Sequence, residues 1–121
     1  MGATCTKKVL LIEDDEDIRN AMRQVLELEG YVVVPAGNGR EGLVALAQHG
    51  EPCVILLDLM MPVMNGWEFL AERAHQPQGA NVPVVIVSAA GERARKTPAV
   101  AHLGKPVNLT RLLDLVEQYC Q

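Results

Sequence analysis

Five consecutive acidic residues, Glu13–Asp17, directly follow the apolar run Val9–Ile12. The chain carries a formal charge of −4, and without these five acids its 11 basic residues would face 10 acidic ones, for a net charge of +1. A single acid, Asp58, follows the apolar run Cys53–Leu57 in the same way. Carboxylates held close together raise one another's pKa unless a counter-charge is present. Mg²⁺, a hard cation that prefers oxygen ligands, would supply that counter-charge.

Two other reactive side chains stand where later apolar runs end. Ser88 follows the run Val82–Val87, and Lys105 comes shortly after the run Val100–Leu103. A lysine ammonium is a compact positive charge suited to a phosphate or a carboxylate. An aspartate can act as a nucleophile toward phosphorus. Together with the acids, these residue types favour a Mg²⁺-dependent aspartate that accepts a phosphoryl group.

Five short apolar runs predict the β-strands that must position these side chains. They are Val9–Ile12, Tyr31–Val34, Cys53–Leu57, Val82–Val87 and Val100–Leu103. Pro35 is expected to end the second strand. Strands that are apolar on both faces are typical of a parallel sheet with helices on both sides. The alternation of strands and helices therefore predicts an α/β fold.

The stretches between these runs have the periodicity of amphipathic helices. The residues expected to face inward are Ile18, Ala21, Met22 and Val25, then Leu43, Leu46 and Ala47, then Trp67, Leu70, Ala71 and Ala74, and finally Leu109, Leu112, Leu113 and Val116. Asn38 is predicted to be an N-cap, with Glu41 as its partner in the first turn. Gly30 is predicted to follow the end of the first helix, and Asn108 to cap the last one.

The arrangement favours a doubly wound, five-stranded parallel sheet of flavodoxin-like type, in which strand order 2-1-3-4-5 is expected. Ligands bind such sheets at the carboxyl ends of the strands. The acids after the first and third strands, Ser88 and Lys105 are therefore expected to converge at one edge. The fourth helix is predicted to be short, broken or reoriented, because Thr97 and Pro98 have the residue types of a fresh helix start within the segment Gly91–Ala101.

Composition limits the remaining possibilities. The 121 residues, of which 49 % are hydrophobic, suit a single domain over residues 1–121 whose core needs no disulfide or metal. The negative charge argues against binding to nucleic acid, and no apolar run has the length of a membrane span. The cysteines Cys5, Cys53 and Cys120 are widely spaced and are expected to be free thiols in a reducing cytosol.

Four fragments, taken in order, resemble the receiver domains of response regulators in bacterial two-component signalling. They are Val9–Asp15, Asp58–Pro62 with Gly66, Val85–Ala89, and Lys105–Pro106. Each fragment alone is a weak signal, whereas all four at strand ends are highly specific. The resemblance covers nearly the whole chain.

The resemblance implies a phosphoacceptor and a metal site. Asp58 would accept the phosphoryl group from the phosphohistidine of a sensor histidine kinase. Glu13, Asp14 and Asp58 would hold Mg²⁺ (or Mn²⁺), with the main-chain carbonyl of Met60 as a further ligand. Glu13 and Asp14 are chosen as the acidic pair because Arg19 then matches the arginine of the family's first helix.

The resemblance also implies roles for residues of the last two strands. Ser88 would bind the new phosphate and move toward it, and Lys105 would pair with Asp58 and then with the phosphate. The bond between Lys105 and Pro106 is expected to be cis. His102 occupies the switch position, where the family often has tyrosine or phenylalanine. A partly exposed histidine without that role is the alternative.

Simpler structural roles exist for the other acids. Glu16 and Asp17 are expected to lie in the first turn of a helix, where the helix dipole favours negative charge. Asp15 could be either the N-cap of that helix or an outer ligand of the metal.

Three functions of different classes fit these residues. The first is a phosphorylatable switch in the cytoplasm, which is not an enzyme. It would act through an unknown output partner or as part of a larger regulator, and it would be a monomer or a phosphorylation-linked dimer. The second is a degenerate receiver that binds a partner without phosphorylation, which the predicted short fourth helix favours. The third is a phosphoaspartate enzyme, but such enzymes usually need an acid two residues after the nucleophile for acid–base chemistry, and this position is Met60.

Overall fold

Ten elements alternate along the chain in a computed structural model that describes residues 7–77 and 79–120. The strands are β1 (Lys8–Ile12), β2 (Val32–Ala36), β3 (Val54–Leu57), β4 (Val84–Ser88) and β5 (Ala101–Gly104). The helices are α1 (Glu16–Leu28), α2 (Gly39–His49), α3 (Gly66–Arg73), α4 (Glu92–Lys96) and α5 (Leu109–Tyr119).

The five strands form one parallel sheet of order β2-β1-β3-β4-β5, which confirms the predicted fold and order. β1 lies between β2 and β3, and Val9 is in register with Val33 on one side and Val54 on the other. Every residue of β3 and β4 is buried. The continuous apolar runs thus predicted the central strands because both of their faces are covered.

The sheet has a core on each face. In β1, Val9 and Leu11 belong to one core while Leu10 and Ile12 belong to the other, which is the two-residue period of a strand. The first core also contains buried residues of α1 and α5, namely Met22, Leu26, Leu112 and Val116. The second contains buried residues of α2 and α3, namely Ala45, Leu46 and Phe69.

Side-chain caps start four of the helices. Asp15, Asn38, Asn65 and Asn108 each accept a hydrogen bond from the backbone amide three residues further along, at 2.9–3.0 Å. These bonds satisfy amides that would otherwise lack a partner at a helix start. Gly30 follows α1 with a φ of 91°, as its predicted place after the helix end requires.

The second strand runs further than predicted. β2 includes Pro35 and ends at Ala36. Proline has no amide hydrogen and is normally excluded from central strands. β2 lies at the edge of the sheet, so the missing donor breaks no pairing with a second neighbour.

The buried faces of three helices also differ from the sequence prediction. In α1, Ala21 is exposed and Leu26 is buried instead. Phe69 is the fully buried side chain of α3, whereas Ala71 and Ala74 are exposed. In α2, Ala45 is buried and Ala47 is exposed. Small alanines match a helical period by chance, and the packing is decided by the larger side chains.

The fourth helix is short, as predicted, but its end was misinterpreted. α4 has five residues, and Thr97 is its C-cap rather than the N-cap of a new helix. The amide of Thr97 donates to the carbonyl of Ala94, and Pro98 follows outside the helix. A proline shortly after a helix end is common because it cannot continue the helix.

The prediction of free thiols was wrong for two of the three cysteines. Cys53 and Cys120 form a disulfide, with their Cα atoms 5.1 Å apart. They are separated by 67 residues in sequence, so only the tertiary fold brings them together. Cys5 lies outside the described residues. In the part of the chain that is described, no helix is long and apolar enough to cross a membrane.

Candidate functional site

The predicted site residues follow neighbouring strands at the carboxyl edge of the sheet. Glu13 and Asp58 come directly after β1 and β3, Ser88 ends β4, and Lys105 comes directly after β5. Because these strands are parallel and adjacent in the order β1-β3-β4-β5, their last residues lie side by side.

Three carboxylates meet at this edge. Glu13, Asp14 and Asp58 each offer one oxygen atom, and these atoms all lie within 4.8 Å of one another. Glu13 is 1 % exposed and Asp58 is 4 % exposed, whereas Asp14 faces solvent. Two buried acids and one accessible acid make a cleft that is open on one side.

Lys105 supplies the positive charge that faces this cluster. Its Nζ lies 2.7 Å from Oε1 of Glu13 and 3.3 Å from Oδ2 of Asp58, to which it donates a hydrogen bond. The lysine side chain is itself mostly buried. Its peptide bond to Pro106 is cis, as predicted.

Burial shifts the pKa of two of these groups. Burial raises the pKa of Glu13 above its usual value, and this effect outweighs the opposing influence of the nearby Lys105 ammonium and of the hydrogen bond from the amide of Asp15. Burial lowers the pKa of Lys105, but the pairing with Glu13 and the charge of Asp58 raise it by more, so its net pKa is above the usual value. Lys105 therefore stays charged at neutral pH.

The cluster fits a hard divalent cation. One lysine cannot balance three ionised carboxylates, which leaves an excess of negative charge. Oε1 of Glu13 is fully buried, and no donor in the described ranges meets it with the geometry of a hydrogen bond, although the Lys105 ammonium is close. Mg²⁺ binds through a small number of carboxylates and keeps several waters. The open side at Asp14 would leave room for those waters.

The loop after β3 holds Asp58 in place through its backbone. The amide of Asp58 donates to the carbonyl of Ile12 at 3.0 Å, and the amide of Met60 lies 3.4 Å from Oδ1 of Asp58. The amide of Gly66 donates to the carbonyl of Leu59. A Cβ atom at Gly66 would lie 2.5 Å from the carbonyl oxygen of Asp58, so only glycine allows α3 to begin this close to the acceptor.

The start of α1 holds the acidic run. Asp15 is the N-cap, with Oδ1 accepting from the amide of Ile18, which settles its structural role. Arg19 donates to the carbonyl of Glu13 at 2.8 Å and to that of Asp14 at 3.4 Å. Arg19 therefore fixes the backbone of both acids and uses neither of their carboxylates.

The remaining predicted residues lie around this centre. Ser88 is buried, and its hydroxyl accepts from the amide of Ala90 at 3.2 Å. Met60 is 59 % exposed. His102 points elsewhere, since its Nε2 pairs with the carbonyl of Thr97 at 2.6 Å. The structure thus brings Glu13, Asp14, Asp58 and Lys105 together, and it ties His102 to the end of α4.

Sequence reasoning missed a second polar cluster beside the site. Trp67 packs against the second core, as its predicted inward position requires, and in addition its indole Nε1 donates to the hydroxyl of Thr97, while Arg93 lies over its ring with 4.0 Å to the centroid. The signal available in the sequence was slight: a single tryptophan next to Gly66, and a threonine before a proline.

Comparison with known proteins identifies relatives across the described range. The model of the response regulator receiver domain family matches residues 9–117. An uncharacterized 14.6 kDa protein from the sodA1 3′ region of Leptolyngbya boryana is 32 % identical, covering 93 % of this chain and 88 % of that protein. The polar-differentiation response regulator DivK of Brucella ovis is 29 % identical, with coverages of 94 % and 96 %. The solved structure of chemotaxis protein CheY4 of Vibrio cholerae is 31 % identical with a TM-score of 0.83, and the coverages are 94 % and 98 %.

Proposed function

Because the chain belongs to the response regulator receiver domain family, we propose that it is a Mg²⁺-dependent switch that a histidine kinase phosphorylates on Asp58. One observation carries the proposal. The carboxylates of Glu13, Asp14 and Asp58 meet within 4.8 Å, and Lys105 donates a hydrogen bond to Asp58. This set of groups can activate a carboxylate toward phosphorus and can stabilise the product.

Asp58 is the nucleophile of the proposed reaction. A carboxylate oxygen of Asp58 forms a new bond to phosphorus while the phosphorus–nitrogen bond of the kinase phosphohistidine breaks. The electron pair of that bond goes to the imidazole, which takes up a proton. The carboxylates of Glu13 and Asp14 lie beside that of Asp58, and Mg²⁺ held by these three carboxylates would neutralise charge on the phosphoryl oxygens. The carbonyl of Met60 is the proposed main-chain ligand.

Lys105 and Ser88 stabilise the phosphorylated state in this proposal. Lys105 already donates to Oδ2 of Asp58, so a short movement brings its ammonium to a phosphoryl oxygen. Ser88 lies at the end of the neighbouring strand, and its hydroxyl gives up the contact with the amide of Ala90 when it turns toward the phosphate. His102 follows that movement as the proposed switch residue.

In this proposal, residues 1–121 form one receiver domain, which is either free or part of a larger regulator. The domain passes its signal to a protein partner in the cytoplasm. Phosphorylation changes the surface around α4 and β5 through Ser88 and His102. The output partner then distinguishes the two states.

A degenerate receiver that binds its partner without phosphorylation is the second candidate. The observation in its favour is the length of α4, which has only five residues. Against it, the three carboxylates and the lysine are all in place at the edge of the sheet.

Acetyl phosphate with Mg²⁺ tests the phosphoacceptor role directly. Intact-mass spectrometry should show the gain of one phosphoryl group in the wild type and none in Asp58→Asn. The matched control is Asp15→Asn, which removes another acid of the same cleft region but keeps a good N-cap residue, and it should still be phosphorylated. Phosphorylation of Asp58→Asn to the wild-type level would exclude Asp58 as the acceptor, and a wild type that accepts no phosphoryl group would favour the degenerate receiver.

A further inference from the structure

The disulfide lies at the end of the sheet opposite to the proposed phosphoacceptor. Cys53 directly precedes β3, and Asp58 directly follows it. At a rise of roughly 3.3 Å per residue, Cys53 and Asp58 are therefore about 16 Å apart along the strand. Cys120 is the C-cap of α5. The bond therefore joins the start of the central strand to the end of the last helix, and the proposed phosphorylation does not use it.

Both oxidation states of the pair fit the same fold. Cys120 is 4 % exposed and packs in the core between the sheet and helices α1 and α5, where a free thiol behaves as a small apolar side chain. Sγ of Cys53 lies 3.1 Å from the carbonyl oxygen of Lys8, which can accept the proton of a Cys53 thiol. Each sulfur therefore has surroundings that also suit a free thiol.

The two cysteine residues differ in exposure. Cys53 is partly exposed, whereas Cys120 is buried. An external reagent must therefore reach Cys53 first, and Cys120 is held next to it with the Cα atoms 5.1 Å apart, a separation typical of disulfides. Cys53 is therefore placed to attack the reagent, and Cys120 is placed to resolve the mixed disulfide that forms on Cys53.

We propose that Cys53 and Cys120 are a redox-reactive pair that a low-molecular-weight disulfide of the glutathione type oxidises reversibly. The Cys53 thiolate attacks one sulfur of that reagent, which forms a mixed disulfide and releases one small thiol. The Cys120 thiolate then attacks Sγ of Cys53, which forms the internal bond and releases the second small thiol. The protein loses two electrons and two protons, and the reagent gains them.

Oxidation regulates the end of α5. The last turn of this helix contains no basic residue that could interact with its carbonyl groups. The amide of Cys120 donates a hydrogen bond of 2.9 Å to the carbonyl of Val116. The disulfide fixes this turn to β3. In the dithiol state the turn can open locally while the rest of the domain stays folded. The cysteine pair then regulates α5 independently of the acidic site.

Alkylation and mass spectrometry of the full chain test the proposal. In a Cys5→Ser background, the protein is equilibrated with oxidised and reduced glutathione at several ratios, and free thiols are trapped. Oxidised glutathione should convert the folded protein to a form with no free thiol and no glutathione adduct, and reduced glutathione should reverse this without denaturant. In that background, Cys120→Ser should accumulate an adduct at Cys53, whereas Cys53→Ser should react far more slowly.

Hydrogen exchange provides the structural measurement. Reduction should speed exchange of the amides in the last turn of α5 by on the order of tenfold, with the strand amides unchanged. The proposal is overturned if oxidised glutathione leaves both thiols free, if reduction requires unfolding, or if the last turn exchanges equally in both states. Phosphorylation of Asp58 is measured in parallel in each redox state, so its failure is distinguished from failure of the thiol chemistry.

Discussion

The indole nitrogen of Trp67, at the start of α3, donates a 2.9 Å hydrogen bond to the hydroxyl oxygen of Thr97, at the end of α4. The same hydroxyl donates to the carbonyl of Arg93 at 2.8 Å, and the Arg93 guanidinium lies over the indole ring. The carbonyl of Thr97 pairs in turn with the ring of His102. A helix of five residues is too short to be stable alone, and this cluster holds it against α3 and β5.

Replacing Thr97 tests whether this cluster holds α4. Thr97→Val keeps the shape of the side chain but leaves the Trp67 N–H without its acceptor, so we expect the free energy of unfolding to fall by about 1–2 kcal/mol. Trp67 is the only tryptophan in the chain, so its fluorescence should also change. Thr97→Ser keeps the hydroxyl and should resemble the wild type. Equal stability and emission in all three proteins would mean that the bond does not anchor α4.

The raised pKa of Glu13 predicts a specific pH dependence of stability. A carboxyl whose pKa is higher in the folded state than in the unfolded state contributes stability below its unfolded pKa, and that contribution is lost as the pH rises through the folded pKa. Glu13→Gln removes this titration. The stability of Glu13→Gln relative to wild type should therefore increase as the pH rises above 4.5, the usual pKa of a glutamate.

Chemical denaturation at several pH values, in the presence of a chelator, measures this effect. Glu16→Gln is the matched control, because Glu16 belongs to the same acidic run but is exposed in the first turn of α1. An identical pH dependence in Glu13→Gln and wild type would contradict the assignment.

Metal binding should depend on the one exposed acid of the cluster. Mg²⁺ at ten times its dissociation constant should raise the free energy of unfolding of the wild type by about 1.4 kcal/mol. Asp14→Asn should lose most of this gain because the carboxylate that faces solvent is removed while the two buried acids stay. Thermal unfolding with and without Mg²⁺ measures the gain, and Asp17→Asn serves as the control. If Asp14→Asn retained the full gain, the metal would bind elsewhere.

The lifetime of phosphorylated Asp58 should depend on Met60 and Ala90, which come two residues after Asp58 and two residues after Ser88. Hydrolysis of an acyl phosphate needs a water molecule placed in line with phosphorus, and transfer of this kind is governed by positioning and charge stabilisation. Neither side chain can hold a water by a hydrogen bond. The double variant Met60→Asn with Ala90→Glu should therefore shorten the phosphorylated half-life, followed as phosphate release after the donor is removed. Equal rates of phosphate release from the wild type and the double variant, both folded and phosphorylated, would mean that Met60 and Ala90 do not set the half-life.

The loop after Asp58 contains a strained residue. Val63 has a φ of 70°, a conformation unfavourable for a β-branched side chain, and it is 75 % exposed, so no packing offsets the cost. Val63→Gly should raise the free energy of unfolding by about 1 kcal/mol. Val63→Ala keeps the Cβ atom and should give little of that gain. Denaturation of the three proteins compares them, and a loss of stability in the glycine variant would argue against strain at this position.

The sequence alone was enough to predict the helices and strands, and the edge of the sheet at which the reactive side chains lie. Continuous apolar runs require strands covered on both faces, and Asn38 and Asn108 cap the helices that they were predicted to cap. Because parallel strands end at one edge, the positions of Glu13, Asp14, Asp58 and Lys105 after those strands were enough to predict that they meet. The roles assigned to them in phosphorylation remain predictions.

Only the tertiary structure decided the contacts between residues far apart in sequence. Hydrophobic periodicity and helix caps depend on neighbours within a few residues, and these are visible in the sequence. The bond between Trp67 and Thr97 spans 30 residues, and the disulfide between Cys53 and Cys120 spans 67. Each depends on how the helices pack on the sheet, and a local sequence pattern carries no record of that packing.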